Sequence, residues 1–284
     1  MNRYIGLFDS GMGGLTILKQ IMVSLPEENT IYFGDMGRAP YGSRSPEVLN
    51  RYSGQIVEYL ITNYNIKLIV TACNTVSAIC PDYLKDHFTV PILDIIEPVP
   101  KKAIEVSKNG RIGVIGTRST IQSGVYQKKI KGLEPSVQVY AQDCPLFIHF
   151  VEEGWSNEPA MRMVIGEYLA NLKHSNIDTL ILGCTHYPIL KEKIQEYLGN
   201  EVVLIDPAEE CIRGIKEFLG ANNKLNRDNY PERAYLVTDN PDLFKASGER
   251  YLDRKIHNVH LVDIGRLECN NQHQEASLNR ENKG

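Results

Sequence analysis

Hydrophobic positions along the chain alternate between short apolar runs and stretches with helical spacing. Residues 4–8 form the first apolar run, which stops at Asp9-Ser10-Gly11. The apolar positions that follow recur every three or four residues, which predicts a helix that Pro26 ends; they are Leu15, Leu18, Ile21, Met22 and Leu25. A second strand is predicted at Ile31–Phe33.

The same order of elements continues along the chain. A helix is predicted over Val48–Tyr64, followed by a strand over Ile66–Val70. The nearly unbroken apolar character of that strand is typical of a parallel strand buried on both faces. Late in the chain, a helix is predicted over 208–219 and a strand over 234–239. Strands that alternate with helices of this length predict βαβ units and a parallel sheet.

Three later segments resemble three earlier ones, in the same order. The pairs are 5–10 with 112–117, 58–75 with 167–186, and 90–98 with 202–208. Similarity that repeats in one order predicts an internal duplication. The alternative explanation is that all parallel α/β sequences resemble one another.

The duplication predicts an α/β fold of two pseudo-symmetric, flavodoxin-like parallel-sheet domains with the active site between them. The first domain is predicted to comprise 1–97 plus 208–267, and the second 98–207. The boundary is placed where two prolines interrupt the pattern, in Glu97-Pro98-Val99-Pro100. Residues 268–284 have almost no apolar side chains and are predicted to be a disordered tail.

Composition and charge narrow the class of protein. The 284 residues carry a formal net charge of −4, which gives no electrostatic reason to expect nucleic acid or an anionic membrane as a partner. No apolar run is long enough to span a bilayer, and the N-terminus lacks the apolar stretch of a secretory signal. A cytoplasmic protein is therefore expected. Its six cysteines include no C-x-x-C pair and are expected to be free thiols.

Cys73 and Cys184 stand out because each follows an apolar strand and precedes a predicted helix. The carboxyl ends of parallel strands are where ligands bind, and the positive end of a helix lowers the pKa of a nearby thiol. A buried cysteine acting only as a small hydrophobe is the alternative, and it is less persuasive because the two positions are equivalent in the two repeats. Cys80 is predicted to be a core residue, and Cys144, Cys211 and Cys269 lack a comparable setting.

Two thiols that face one ligand could remove a proton from one face of a carbon and return one to the other. Asp9 ends the first strand and could assist Cys73, although a turn-forming aspartate explains it equally well. His186 is close enough in sequence to serve Cys184. Glu152 and Glu153 occur in an apolar segment, where a solvated helix end is the other explanation. No motif demands a pyridoxal or other cofactor.

The glycine loop at 11–14 (GMGG) matches neither the dinucleotide nor the P-loop pattern. A tight strand-to-helix turn is favoured instead, with backbone N–H groups exposed to a carboxylate.

Together these residues closely resemble the glutamate racemases of the aspartate/glutamate racemase superfamily. FDSG-x-GG, ACNT and GCTHYP in one chain form a highly specific combination. The matching stretches are 5–18, 32–43, 71–78, 94–98, 114–121, 144–155 and 182–190. They cover about the first two thirds of the chain.

The resemblance implies a cofactor-independent racemase that interconverts L- and D-glutamate and supplies D-glutamate for peptidoglycan. It implies that Cys73, assisted by Asp9, acts on D-glutamate, and that Cys184, assisted by His186 and Glu152, acts on L-glutamate. A homodimer is also implied. The implied substrate-binding residues are Asp9, Ser10, Tyr41, Gly42, Asn74, Thr75, Thr117, Thr185 and His186, with Thr120 a further candidate.

The chain departs from the family pattern at Met36-Gly37 and at His149, which replaces a commoner proline. Neither departure is expected to touch the chemistry. Three other functions remain as alternatives. An aspartate racemase would differ in substrate, a non-catalytic amino-acid-binding protein would need no reactive thiols, and a cysteine-nucleophile hydrolase would need only one.

Overall fold

The computed structural model describes residues 3–156, 158–226, 230–265 and 267. The first part of the chain contains β1 (Tyr4–Asp9), α1 (Leu15–Ser24), β2 (Asn29–Gly34), α2 (Pro46–Asn63), β3 (Ile66–Thr71), α3 (Asn74–Ile79), α4 (Pro81–His87) and β4 (Ile92–Asp94). The middle part contains α5 (Val99–Val106), β5 (Arg111–Gly116), α6 (Arg118–Ser123), α7 (Val125–Leu133), β6 (Gln138–Asp143), α8 (Leu146–Glu152), α9 (Pro159–His174), β7 (Thr179–Gly183), α10 (Lys191–Leu198) and β8 (Val203–Ile205). The last part contains α11 (Pro207–Ala221), β9 (Arg233–Val237), α12 (Pro241–Leu252) and β10 (Val259–Leu261).

The strands form two sheets. One has six strands in the order β10-β9-β2-β1-β3-β4, and the other has four in the order β6-β5-β7-β8. Every strand pair is parallel. The predicted α/β fold of two parallel-sheet domains is therefore confirmed. The order β2-β1-β3-β4 repeats as β6-β5-β7-β8, which supports the internal duplication.

The last two strands return to the first sheet, where Thr30 of β2 pairs with Arg233 of β9. The division into residues 1–97 plus 208–267 and residues 98–207 stays a prediction. The predicted tail, 268–284, lies outside the described residues, as does Cys269. No helix in the described part of the chain has the length and apolar character needed to cross a membrane.

Strands β1 and β3 are mostly apolar and are covered on both faces. In β3, Leu68 and Val70 pack into one hydrophobic cluster, and Ile69 between them packs into another. In β1, Leu7 and Phe8 divide between the same two clusters. This two-sided burial explains why neither strand shows the alternation of a half-exposed strand.

The chain passes between the domains at two helix starts. Pro98 is the N-cap of α5 and Pro100 lies in its first turn, while Asp206 caps α11 and is followed by Pro207. Proline is tolerated in the first turn of a helix because its missing N–H has no partner there. Pro98 and Pro100, near the predicted boundary, therefore mark the start of helix α5 and also the end of the strand–helix pattern that precedes it.

Candidate active site

The site lies where the central strands of the two sheets end. Asp9 is the last residue of β1, Cys73 follows β3, Thr117 follows β5 and Cys184 follows β7. These carboxyl ends meet around one cavity of about 230 Å³, lined by residues from both domains. All the catalytic and substrate-binding residues predicted from the sequence line it: Asp9, Ser10, Tyr41, Gly42, Cys73, Asn74, Thr75, Thr117, Glu152, Cys184, Thr185 and His186.

On the second-domain side of the cavity, three side chains form a chain of polar contacts. His186 Nδ1 lies 3.8 Å from Cys184 Sγ, and His186 Nε2 lies 3.1 Å from Glu152 Oε1. A carboxylate can only accept a hydrogen bond, so Nε2 carries a proton. Cys184 and His186 are buried, and Glu152 is half-buried. The arrangement gives Cys184 a proton-carrying partner that Glu152 holds in place.

The same contacts determine the charge of the imidazole. Burial disfavours the charged form of His186, but its hydrogen bonds to Cys184 and Glu152 outweigh that effect and raise its pKa to about 10. For Glu152, burial acts to raise the pKa, and the hydrogen bond from His186 reverses the direction and lowers it. At neutral pH the pair is therefore an imidazolium and a carboxylate.

Replacing Glu152 by glutamine is expected to lower the pKa of His186 from about 10. Burial favours the neutral imidazole, and without the carboxylate of Glu152 less remains to stabilise the imidazolium. A hydrogen bond between charged groups contributes about 1.5–3 kcal/mol, so a fall of about 1–2 in pKa is expected. Histidine resonances followed by NMR through a pH titration measure it. Glu153→Gln, at the exposed neighbouring position, is the control and leaves the titration unchanged; an unchanged titration in Glu152→Gln would contradict the assignment.

On the first-domain side, Asp9 stands beside Cys73. Its Oδ2 accepts hydrogen bonds from the N–H groups of Gly11, at 3.2 Å, and Gly14, at 3.0 Å. Its Oδ1 is buried and has no hydrogen-bond partner. Burial raises the pKa of Asp9, while the charge of His186 opposes the rise. One oxygen of this carboxyl group is thus fixed by the turn, and the other is left for a ligand or a proton.

One prediction from the sequence needs correction here. Burial raises the pKa of the Cys73 thiol, and the neighbouring Asp9 charge raises it further. The predicted lowering by the helix terminus is therefore wrong for Cys73: the helix, α3, is only six residues long, and desolvation outweighs it. The glycine turn does present N–H groups to a carboxylate, as predicted: those of Gly11 and Gly14 donate to Asp9.

The opposite wall of the cavity carries uncharged polar groups. Thr75 Oγ1 and Thr117 Oγ1, one from each domain, lie 3.0 Å apart, and Thr117 Oγ1 lies 3.0 Å from Thr120 Oγ1. Asn74 is buried, yet neither its side-chain oxygen nor its nitrogen has a hydrogen-bond partner. A buried amide without a partner is costly, so Asn74 is available to a bound ligand. Thr120 supports Thr117 and is not itself among the lining residues.

The loop after β2 was only partly predicted. Tyr41 lines the cavity, but its hydroxyl group donates to Asp35, which also binds Arg38 Nε at 2.7 Å and Thr238 Oγ1 at 2.9 Å. Asp35 and Arg38 are both buried. In the sequence they belong to a polar, glycine-containing loop of the kind that usually lies in solvent. Their i,i+3 spacing was the one available signal, and it is also common on exposed turns.

Further residues of the wall were not predicted: Gly11, Ala39, Pro40, Ile148 and His149. His149, where the chain departs from the family pattern, lines the same cavity as Glu152, and that it does not take part in the chemistry stays a prediction. Met36 and Gly37 are not among the lining residues. Glu153 is exposed, so of the two adjacent glutamates Glu152 alone faces the site.

The other described cysteines lie in the core. Cys80 is fully buried, as predicted, and Cys144 and Cys211 are buried as well. All five described cysteines are free thiols. Cys73 and Cys184 are the two that line the cavity.

Comparison with known proteins places this site in a family. The model of the Asp/Glu/Hydantoin racemase family matches residues 16–214. A glutamate racemase of Geobacter metallireducens is 44% identical over 263 residues, which are 92% of this chain and 97% of that protein.

Solved structures agree with the sequence comparison. A glutamate racemase isoform from Bacillus anthracis superposes with a TM-score of 0.88 at 36% identity, over 92% of this chain and 97% of that one. The glutamate racemase of Francisella tularensis, solved in complex with D-glutamate, has a TM-score of 0.86 and 38% identity, covering 92% of this chain and 98% of that one.

Proposed function

Because the chain belongs to the Asp/Glu/Hydantoin racemase family and is a glutamate racemase, we propose that it moves the Cα proton of glutamate with two cysteine bases and no cofactor. The observation that carries this proposal is the placement of Cys73 and Cys184 after equivalent strands of two related sheets, in the wall of one cavity. Each has its own acid–base partner, Asp9 for Cys73 and His186 for Cys184.

In the proposed reaction on L-glutamate, the Cys184 thiolate removes the proton from Cα. The electron pair left on Cα spreads into the α-carboxylate. The Cys73 thiol then donates its proton to the opposite face of Cα, which gives D-glutamate. Cys184 ends as a thiol and Cys73 as a thiolate, so the D-to-L reaction starts from the state that the L-to-D reaction leaves.

The surroundings of the two sulfurs suit the start of the L-to-D reaction. The His186 imidazolium, 3.8 Å from Cys184 Sγ, can donate to a thiolate there. Burial and the Asp9 charge raise the pKa of Cys73, which favours the thiol form needed for donation. Cys73 is therefore suited to donate a proton, and Cys184 has a cationic partner in His186.

The substrate is proposed to be held by the uncharged groups of the cavity. The unpartnered side chain of Asn74 and the hydroxyl groups of Ser10, Thr75, Thr117 and Thr185 can bind its carboxylate and ammonium groups. Since the hydroxyl group of Tyr41 already donates to Asp35, Tyr41 and Gly42 are proposed to contribute backbone groups.

In the cell, the D-glutamate is proposed to enter peptidoglycan synthesis in the cytoplasm.

We also propose a homodimer. Exposed apolar side chains on the second domain, Leu146, Trp155 and Met163, are candidate contacts between subunits. Sedimentation of the purified protein checks the assembly, since these contacts require a particle of twice the chain mass.

A circular-dichroism assay tests the proposed reaction. Purified enzyme given L-glutamate, with no cofactor added and after dialysis against a chelator, is expected to bring the optical signal to zero, and D-glutamate is expected to reach the same end point. L- and D-aspartate serve as the comparison. A signal that decays only when pyridoxal phosphate or a metal is supplied, or that decays faster with aspartate, would overturn the proposal.

Asn substitutions at Asp9 and His186 are expected to affect the two proton transfers unequally. The equilibrium constant between enantiomers is one, so kcat/KM must fall equally for both substrates, and rates alone cannot separate the roles. Isotope effects can. His186→Asn slows transfer at Cys184, which raises the primary isotope effect on kcat/KM for Cα-deuterated L-glutamate and lowers it for Cα-deuterated D-glutamate.

Asp9→Asn, which slows transfer at Cys73, is expected to change the two isotope effects in the opposite directions. Activity losses of about 10²–10⁴-fold are expected for both variants, the range of general acid–base catalysis. Thr120→Ser, behind the cavity wall, is a mild control. Isotope effects that move in the same direction in both Asn variants would contradict the division of roles.

A further inference from the structure

The imidazole of His186 belongs to the second domain, but two residues of the first domain pack against it. One is Gly13 of the turn after β1. A Cβ atom at this position would lie 2.6 Å from His186 Nδ1 and 2.6 Å from its Cε1, closer than real Cβ contacts come. The backbone of Gly13 therefore occupies the space beside the ring edge that faces Cys184.

The second residue is Tyr251, near the end of α12. Its ring stands perpendicular to the imidazole of His186, with the ring centroids 6.3 Å apart. This edge-to-face arrangement is one that aromatic pairs favour. Tyr251 is buried at 9% exposure, and its side chain also lies in the field of Glu152. The imidazole is thus enclosed between a backbone turn and an aromatic ring, both from the other domain.

The segment that carries His186 is held from the same side. Thr16, in the first turn of α1, donates to the backbone carbonyls of Gly13, at 2.9 Å, and Thr185, at 3.2 Å. A Cβ atom at Gly13 would lie 2.3 Å from Thr185 Oγ1. The first domain therefore fixes both the backbone before His186 and the imidazole itself.

The hydroxyl group of Tyr251 is buried and has no hydrogen-bond partner. A buried hydroxyl group without a partner costs stability, so hydrogen bonding does not explain why the side chain lies here. What remains is the packing of the aromatic ring in the hydrophobic core and its contact with the imidazole. Leucine and phenylalanine at this position separate the two contributions, because phenylalanine keeps the ring.

We propose that Tyr251 is a positioning residue for proton transfer at Cys184: with Gly13, its ring holds His186 so that Nδ1 faces the sulfur and Nε2 faces Glu152. The proposal rests on the two-cysteine mechanism proposed above. A rotation of the imidazole would break both contacts at once. The two enclosing residues belong to the first domain, whereas Glu152, which accepts from Nε2, belongs to the second, so both domains contribute to the orientation of His186.

The first test needs no catalysis. The proton on His186 Nε2, held in the hydrogen bond to Glu152, is expected to give a downfield NMR signal in the full-length protein without substrate, assigned by its absence in His186→Asn. Tyr251→Phe is expected to keep this signal. Tyr251→Leu is expected to lose it through exchange with water. Gly13→Ala, whose added methyl group would clash with the imidazole from the other side, is expected to lose the Nε2 signal too. It replaces the leucine variant in this test if that variant does not fold.

The second test is kinetic. Tyr251→Leu is expected to lower kcat/KM about 10-fold and to change the isotope effects as His186→Asn does, up for L-glutamate and down for D-glutamate. Tyr251→Phe is expected to stay within about 2-fold of the unaltered enzyme. Phe244→Leu, a buried aromatic on the same helix that packs on Tyr32 and Tyr235, controls for loss of packing and leaves the balance of isotope effects unchanged.

Three results would overturn the proposal: a Tyr251→Leu variant that keeps the Nε2 signal, a Tyr251→Phe variant that loses it, or a Phe244→Leu variant that reproduces the isotope pattern. Failure of the two-cysteine mechanism has a different signature. In that case cysteine variants keep their activity, whereas the NMR signal still reports whether Tyr251 holds His186.

Discussion

Alanine at either Cys73 or Cys184 is expected to lower kcat/KM for both enantiomers by about 10³-fold or more, while the fold stays intact. Each thiol transfers one proton in every turnover, whichever enantiomer is the substrate, so both thiols are required in both directions. General acid–base groups contribute about 10²–10⁴-fold, and a missing base with no substitute in the cavity belongs at the upper end of that range. The circular-dichroism assay measures the loss, and far-ultraviolet spectra check the fold.

Cys80 provides the matched control for these variants. It is a buried thiol seven positions after Cys73, outside the cavity lining, and Cys80→Ala is expected to keep its activity at some cost in stability. Near-normal turnover in Cys73→Ala or Cys184→Ala would reject the two-base mechanism. Equal losses in all three variants would point to structural damage instead.

Racemisation in deuterium oxide is expected to put deuterium almost completely into the product and almost none into the remaining substrate. When L-glutamate is supplied, Cys184 takes the Cα protium, while Cys73, which exchanged with solvent before binding, donates deuterium to the other face. Early in the reaction the D-glutamate formed is therefore deuterated at Cα, and the L-glutamate recovered still carries protium. Mass spectrometry after chiral separation measures both.

A single base serving both faces gives a different result. It would return part of the substrate protium to the product and introduce solvent deuterium into the recovered L-glutamate. Running the reaction from D-glutamate is the internal control, because the two-base mechanism predicts the mirror-image distribution. Abundant protium in the earliest D-glutamate would exclude facing cysteines as the two bases.

Much of the fold could be predicted because its central strands are buried on both faces. The runs that became β1, β3 and β7 are nearly continuous apolar segments, and their order sufficed to predict two parallel sheets. Strand β6 escaped prediction because it is a polar edge strand with no fully buried residue, and β10 because it has only three residues, mostly exposed. Such strands form because a neighbouring strand offers hydrogen bonds, which the local sequence does not record.

The features of the site likewise fall into those that the sequence could predict and those that it could not. Residues directly after apolar strands, such as Cys73 and Cys184, could be predicted because parallel strands bring their carboxyl ends to one edge. The direction of the Cys73 pKa could not, since it depends on how deeply the sulfur is buried and on Asp9 from another strand. The Asp35–Arg38 pair was missed because its burial depends on Thr238, about 200 residues further along the chain.

The position of β9 has a consequence for how the protein is made. Strand β2 lies between β1 and β9, and its six residues are all buried. Its neighbour β9 comes much later in the chain, at Arg233–Val237, and is therefore synthesised long after β2. When the whole four-stranded sheet, which ends at Ile205, has been made, the six-stranded sheet still lacks β9 and β10. Until β9 emerges, the newborn chain exposes an apolar edge of the kind that pairs with other chains. The half of the enzyme that is begun first is thus the half that is finished last.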